Sequence, residues 1–141
     1  MPRENVELVH AFTEAFNARD IEAITAVCHP QVEFHSTFAA VGGEIYHGHE
    51  GVRSWHRDIE ETWAGSISSE PEAIFELGDA TLTFTAIHAT GSRSGAQVTI
   101  PAAIVTKMRE GLMVYLKGYA HREDALSDLS VSEEALEPIA P

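Results

Sequence analysis

Apolar residues recur every three or four positions in the first third of the chain and every second position in its last half. From Val6 to Phe16 the apolar residues follow the spacing of one helix face, with charged residues on the opposite side. Asp20 has the side chain of an N-cap and predicts a second helix, which Pro30 closes. Two short helices are therefore expected before any strand.

The pattern then changes to strict alternation over residues 31–36. Val32 and Phe34 share one face of the predicted strand, whereas Glu33 and His35 share the other, as in a half-buried strand. Over residues 50–63 the helical spacing returns and places Val52 with the two tryptophans on one stripe. This segment is predicted to be the third helix.

Helical periodicity disappears after residue 66, where segments rich in Thr, Ile, Val and Phe are separated by glycine-containing turns. A closing helical turn is expected over residues 122–129. Helices at the start and strands at the end predict an α+β fold with the helices on one face of a sheet. The predicted strands cover residues 71–77, 80–89, 97–108 and 112–121.

The chain has 141 residues and is strongly acidic, with 9 Lys and Arg against 22 Asp and Glu and a formal net charge of −13. This charge opposes binding to nucleic acid and to anionic membrane surfaces. Part of it lies in a predicted solvated acidic tail, residues 130–141. The single Cys28 and the lack of a long apolar run or a leader-like start favour a cytoplasmic protein.

Three segments together resemble a known family. These are the helix-helix-strand opening, the sequence Tyr-His-Gly-His-Glu-Gly-Val at residues 46–52, and the last strand with its ending at residues 111–126. The chain resembles, over about residues 4–129, the SnoaL-like members of the nuclear-transport-factor-2-like superfamily, which include polyketide cyclases and relatives of ketosteroid isomerase.

The resemblance implies a cone-shaped domain, residues 1–129, in which three N-terminal helices pack on a curved antiparallel sheet around an apolar pocket. It also implies a homodimer through the outer face of the sheet. The alternation of the last strand agrees, because Leu116 and Gly118 can lie under the helices. A bulkier row of Tyr115, Lys117, Tyr119 and His121 would then face a partner.

The acids that relatives use in catalysis are missing here. Where steroid isomerases place a general-base Asp, the alignment gives Ser36, and where they place a second, hydrogen-bonding Asp it gives Ile104. Polyketide cyclases have an Asp at the position of Gly118. A hydroxyl, an alkyl group and a hydrogen cannot replace a carboxyl group as acid or base.

Histidines are the remaining candidates for acid/base catalysis, because their pKa lies near neutrality. His88 alternates with Leu82 and Phe84 and is therefore predicted to point towards the apolar side of the sheet. The alternative is a histidine at the end of the sheet or facing a partner subunit. His35 adjoins Ser36, but alternation turns it away from the pocket unless the strand ends or bulges there.

Inward-facing aromatic and neighbouring residues are the predicted contacts of a substrate. Neither a cofactor nor a metal is expected, since the motif His47-Gly48-His49 lies in a turn without a spaced carboxylate. The predicted substrate-binding residues are Phe12, Phe16, Phe34, Ser36, Tyr46, Trp55, Ile59, Trp63, Ile104 and Gly118.

Two classes of function remain open. The first is a cofactor-independent isomerase, cyclase or dehydratase that acts on a small hydrophobic, even polycyclic, substrate with His88 and His35 as acid and base. The second is a non-catalytic module that binds a small molecule or dimerises, and it is favoured by the missing acids. A third alternative is an assembly partner of a larger enzyme.

Overall fold

Four α-helices, six strands and one 3₁₀ turn are present in a computed structural model that describes residues 2–35, 45–63, 66–90 and 95–139. The helices agree with the predicted ones, and α4 has the bounds of the expected closing turn. The helices are α1 (Pro2–Asn17), α2 (Ile21–Ala26), α3 (Gly48–Trp63) and α4 (Arg122–Leu129). The strands are β1 (Cys28–His35), β2 (Ile45–His47), β3 (Ser68–Leu77), β4 (Ala80–Thr90), β5 (Gln97–Arg109) and β6 (Leu112–Tyr119).

The strands form one open, curved sheet in the order β2-β1-β6-β5-β4-β3. From β3 to β6 consecutive strands pair antiparallel, as the alternating segments and short turns predict. The first strand, β1, lies beside the last strand, β6, and these two strands are parallel. The α+β fold is confirmed, with this one parallel pair in an otherwise antiparallel sheet.

Two details at the start of the sheet differ from the prediction. β1 begins at Cys28, where the strand pairs with Met113, although Pro30 follows two residues later. The register between β1 and β6 is irregular from Cys28 to Glu33, and a proline is tolerated at such a position because no ladder hydrogen bond is required of it. β2 is three residues long, too short to produce a readable alternation.

The inner face of the sheet carries the main core, against α1, α2 and α3. Phe34 lies at its centre with no exposed surface, and its ring makes an edge contact with Trp55 at a centroid distance of 4.9 Å. Phe12 from α1 packs against both rings. Asp20 caps α2 as predicted, since its carboxylate accepts a hydrogen bond from the backbone N–H of Ala23.

The outer face of the sheet is also covered over β3, β4 and β5, by α4 and the segment that follows it. Ala125 is fully buried there, and Leu126, Leu129 and Leu136 pack against the cluster. Phe84 lies beneath the guanidinium of Arg122, 4.7 Å from its ring centroid. β4 is therefore buried on both of its faces.

The acidic C-terminal residues are not wholly solvated. Glu133 and Glu134 are exposed as expected, but Leu136 packs on the outer cluster. The backbone N–H of Ile139 donates a 2.7 Å hydrogen bond to the carbonyl of Ile74 at the edge strand β3. This contact blocks part of an edge that would otherwise present unpaired backbone groups.

Candidate ligand-binding cavity

An apolar cavity, here called the main cavity, lies between α1, α3 and the inner face of the sheet. It is floored by β3 to β6, and a smaller side cavity adjoins it deeper between α1 and the sheet. The residues that line the main cavity are Phe12, Thr13, Phe16, Trp55, Ile59, Ile67, Ser69, Ile87, Ile104, Leu116 and Gly118. Val9, Thr83, Thr106 and Met113 line the side cavity together with several of these.

Both cavities are small. The main cavity has a volume of about 50 Å³ and the side cavity about 10 Å³. Sites for drug-sized ligands usually have volumes of roughly 300–1,000 Å³. A cavity of about 150 Å³ holds one benzene ring. A ligand of one or two rings would therefore enter the main cavity only with movement of the lining side chains, and a polycyclic substrate would require a larger movement.

Most hydroxyl groups of the lining are already paired inside the protein. Thr13 Oγ1 donates to the carbonyl of Val9 at 2.8 Å, as helical threonines commonly do. The hydroxyls of Ser69 and Thr85 lie 2.6 Å apart and form a buried pair. These groups stabilise the wall and leave the cavity without a strong polar anchor of their own.

None of the described residues that line either cavity has an ionisable side chain. The thiol of Cys28 is buried, and desolvation raises its pKa to about 12. It is therefore a core residue and not a nucleophile. Acid/base catalysis by a group inside the cavity has no candidate among these lining residues.

The predicted orientation of His88 is wrong. On β4 the residues that face the helices are Thr83, Thr85 and Ile87, so His88 lies on the outer face. Its side chain is 45% exposed, and its Nε2 lies 3.1 Å from a Glu70 carboxylate oxygen. Leu82 and Phe84, which share a face with His88, led to the prediction of an inward face. They are apolar because α4 covers them on the outer face of the sheet.

His35 also lies on the outer face, as strict alternation indicates. Its Nε2 pairs with the carboxylate of Glu33, and its ring lies 5.2 Å from that of Tyr115. The strand does not bulge in a way that turns His35 towards Phe34. The structure therefore brings neither candidate histidine into the cavity.

The predicted substrate contacts fall into two groups. Phe34, Tyr46 and Trp63 belong to the same core but do not line the cavity, and Ser36 lies outside the described residues. Tyr46 is buried and its hydroxyl donates a 2.6 Å hydrogen bond to Asp58 on α3. The predicted contacts that do line the main cavity are Phe12, Phe16, Trp55, Ile59, Ile104 and Gly118.

Comparison with known proteins identifies the family. The model of the SnoaL-like domain matches residues 9–116, which is most of the chain. The chain belongs to the SnoaL-like family. No curated protein matches the sequence itself.

Solved structures with the same fold include three that cover nearly the whole SnoaL-like chain. TerC, crystallised with polyporic acid, is 23% identical with a TM-score of 0.74, over 90% of this chain and 98% of TerC. A nuclear-transport-factor-2-like protein of unknown function from Burkholderia pseudomallei is 20% identical, with a TM-score of 0.75 and coverage of 91% and 98%. IdmH from Streptomyces antibioticus, for which a polyketide cyclase activity has been suggested, is 18% identical, with a TM-score of 0.68 and coverage of 89% and 98%. At these identities the likeness establishes the fold.

Two further observations concern metal ligands and membrane-spanning helices in this SnoaL-like domain. Among the described residues, no three His, Cys, Asp or Glu side chains come together in a way that could hold a metal ion. Likewise, none of the helices in the described part of the chain has the length and apolar character needed to cross a bilayer. His47 and His49 therefore form no metal site with other described residues, and His49 Nε2 lies 2.8 Å from the carbonyl of Cys28.

His56 on α3 has a buried ring nitrogen, and it should make the stability of this SnoaL-like domain depend on pH. Its Nε2 is buried and makes no hydrogen bond to any residue that the structure describes, and Glu60 Oε1 lies 3.9 Å away. Burial lowers the pKa of His56 below its usual 6.5, with Arg19 acting in the same direction and Glu60 opposing it. The unfolded chain therefore binds this proton more readily than the folded protein, so the stability is present above pH 6.5 and is lost as the pH falls.

We expect the free energy of unfolding to fall less on acidification in His56→Gln than in the unchanged protein. Urea denaturation at a pH above 6.5 and at one well below it measures this difference. Replacement of the exposed His10 by Gln is the control, and it should leave the pH dependence unchanged. Equal losses on acidification in His56→Gln and the unchanged protein would show that His56 is not responsible.

Proposed function

We propose that this protein binds small, neutral, hydrophobic molecules of one or two rings in the main cavity. The observation that carries the proposal is the lining, in which no described residue is ionisable and most hydroxyls are internally paired. A charged ligand would lose its hydration without gaining a partner of opposite charge. A neutral apolar ligand loses little and gains the burial of its surface.

The similarity to TerC, which was crystallised with polyporic acid, supports a small organic ligand in this fold. The small volume of the main cavity favours a ligand smaller than a polycycle. A homodimer through the outer face stays a prediction; α4 already covers Tyr119 there, whose hydroxyl donates a 2.7 Å hydrogen bond to Asp128. A cytoplasmic location also stays a prediction.

Thermal unfolding in the presence of 1-indanone and of indane-2-carboxylate tests the proposal. A ligand that binds only the folded state raises the midpoint of unfolding with its concentration. We expect this increase with the neutral ketone and not with the carboxylate. No increase with 1-indanone, or an equal increase with both compounds, would contradict the proposal.

Two isoleucines of β5 provide a matched pair of variants for this experiment. Ile104 and Ile100 both belong to the inner core, but only Ile104 lines the main cavity. Phenylalanine at position 104 should fill the cavity and abolish the response to 1-indanone, whereas phenylalanine at position 100 should preserve it. Loss of the response in both variants or in neither would place the ligand elsewhere.

A cyclase or isomerase activity is the second candidate function, and the fold similarity to IdmH supports it. Without an ionisable lining residue, such an enzyme would act mainly by holding the substrate in a reactive conformation. Mass spectrometry of reactions with small polyketide-like ketones tests for conversion. Because His35 and His88 lie outside the cavity, any activity found should survive alanine substitution at both positions.

A further inference from the structure

Two buried polar atoms belong to residues that line the cavities and have no hydrogen-bond partner among the described residues. They are Nε1 of Trp55 and Oγ1 of Thr83. The residues are 4% and 2% exposed, so bulk water does not satisfy these atoms. Most buried polar atoms in proteins are paired, and an exception at a cavity wall is a place where a ligand can supply the missing partner.

Trp55 is the better placed of the two. It lines the main cavity, whereas Thr83 lines only the side cavity of about 10 Å³. Its ring is also fixed, because it packs against the rings of Phe12, Phe16 and Phe34 at centroid distances of 6.1, 5.8 and 4.9 Å. A donor held in one direction selects the position of its partner more sharply than a rotating hydroxyl does.

The chemistry of the indole N–H defines the ligand group. This nitrogen only donates hydrogen bonds, so its partner must be an acceptor. A carboxylate is disfavoured, because no described lining residue carries a balancing positive charge. A neutral carbonyl oxygen, as in a cyclic ketone, lactone or quinone, meets both conditions.

We propose that Trp55 is a specificity-determining residue whose Nε1–H binds the carbonyl oxygen of a neutral cyclic ligand in the main cavity. The inference rests on the proposed function and adds a preference within it. Hydrocarbons of the same shape should bind through apolar contacts alone and leave the donor unpaired. Carbonyl compounds should therefore bind more tightly than their hydrocarbon counterparts.

The test uses 1-indanone and indane, which have nearly the same shape and differ in one carbonyl group. We expect calorimetry to give an affinity about five- to tenfold higher for 1-indanone in the unchanged protein, the usual effect of pairing a buried donor. In Trp55→Phe the preference should disappear. The ratio of the two affinities is the readout, because any change in the shape of the cavity affects both compounds alike.

Threonine variants separate the alternatives. Thr83→Val should keep the preference. So should the control, Thr25→Val, because the hydroxyl of Thr25 bonds within α2 and Thr25 is not among the residues that line either cavity. A preference that persists in Trp55→Phe but disappears in Thr83→Val would assign the carbonyl to Thr83 and overturn the proposal for Trp55. Equal binding of both compounds to the unchanged protein would also overturn it while leaving the proposed function intact. Failure of both compounds to bind would overturn both.

The unchanged protein offers a readout that does not depend on the folding of a variant. The sequence contains two tryptophans, so the amide spectrum of the ¹⁵N-labelled protein has two indole signals, which Trp63→Phe assigns. The Trp55 indole proton should shift downfield when 1-indanone is added and should not when indane is added. Equal shifts with both compounds would contradict a hydrogen bond to the carbonyl.

Discussion

Replacing Phe34 by alanine is expected to lower the free energy of unfolding by about 3–5 kcal/mol. Phe34 has no exposed surface and lies where β1 meets both α1 and α3. Its ring contacts Trp55 at 4.9 Å and Phe12 at 5.9 Å, both in edge arrangements that aromatic pairs prefer. Alanine removes these contacts and leaves a void that the strand pairing on either side prevents from closing.

Urea denaturation followed by circular dichroism measures this loss. Phe34→Leu is the matched control, since it keeps most of the buried volume and should cost less than half as much as alanine. A loss below about 1 kcal/mol for Phe34→Ala would contradict the packing described for this core, because that value is typical of a weakly packed site.

Gly51→Ala is expected to lower the free energy of unfolding by about 3 kcal/mol, at the upper end of the usual cost of overpacking. A Cβ at position 51 would lie 2.7 Å from the carbonyl carbon of Tyr46 and 3.2 Å from its Cα and Cβ. Tyr46 cannot retreat easily, since it pairs with Phe34 across the strands and bonds to Asp58 through its hydroxyl. In an unobstructed helix the same substitution would increase stability by about 1 kcal/mol.

Gly78→Ala is the control for this prediction. Position 78 has a φ of +67° but no atom within 4 Å of an added Cβ, so only backbone strain of about 1–2 kcal/mol is expected. Chemical denaturation of both variants should therefore rank Gly51→Ala as the less stable. An unchanged or increased stability in Gly51→Ala would show that the turn between β2 and α3 can rearrange.

The helices and most strands could be predicted because each has one buried face. On α3 the stripe of Val52, Trp55 and Ile59 is buried exactly where helical spacing places it, and on β1 the same holds for Val32 and Phe34. In such elements the pattern of apolar residues shows directly which face packs against the core.

β4 shows where this reasoning fails. Every residue from Ala80 to Ile87 is buried, so the strand has no polar face from which to infer the direction of the cavity. Among the threonines that an alternating pattern assigns to the solvent side, Thr83 lines the side cavity and Thr85 bonds to Ser69 of the main cavity. On the opposite face, Phe84 is covered by α4. The wrong orientation of His88 follows from this, since α4 is distant in sequence.

The cavity lining was partly predictable, and its polar anchor was not. Phe12, Phe16 and Ile59 follow from helical spacing, whereas Ile104 and Gly118 follow from the resemblance to relatives. The unpaired N–H of Trp55 depends on which acceptors happen to surround a buried ring, and a local sequence pattern does not contain that information. The signal that the sequence did carry was a tryptophan on the same helical stripe as Val52 and Ile59.

Nuclear Overhauser effects between bound 1-indanone and the methyl groups of the protein test most directly whether the main cavity is the binding site. Contacts to Ile59, Ile87 and Ile104 are predicted, because these three residues line the main cavity from a helix and two strands. Contacts confined to Leu82, Val105 and Leu126 would place the ligand on the outer face under α4 and would contradict the proposed function.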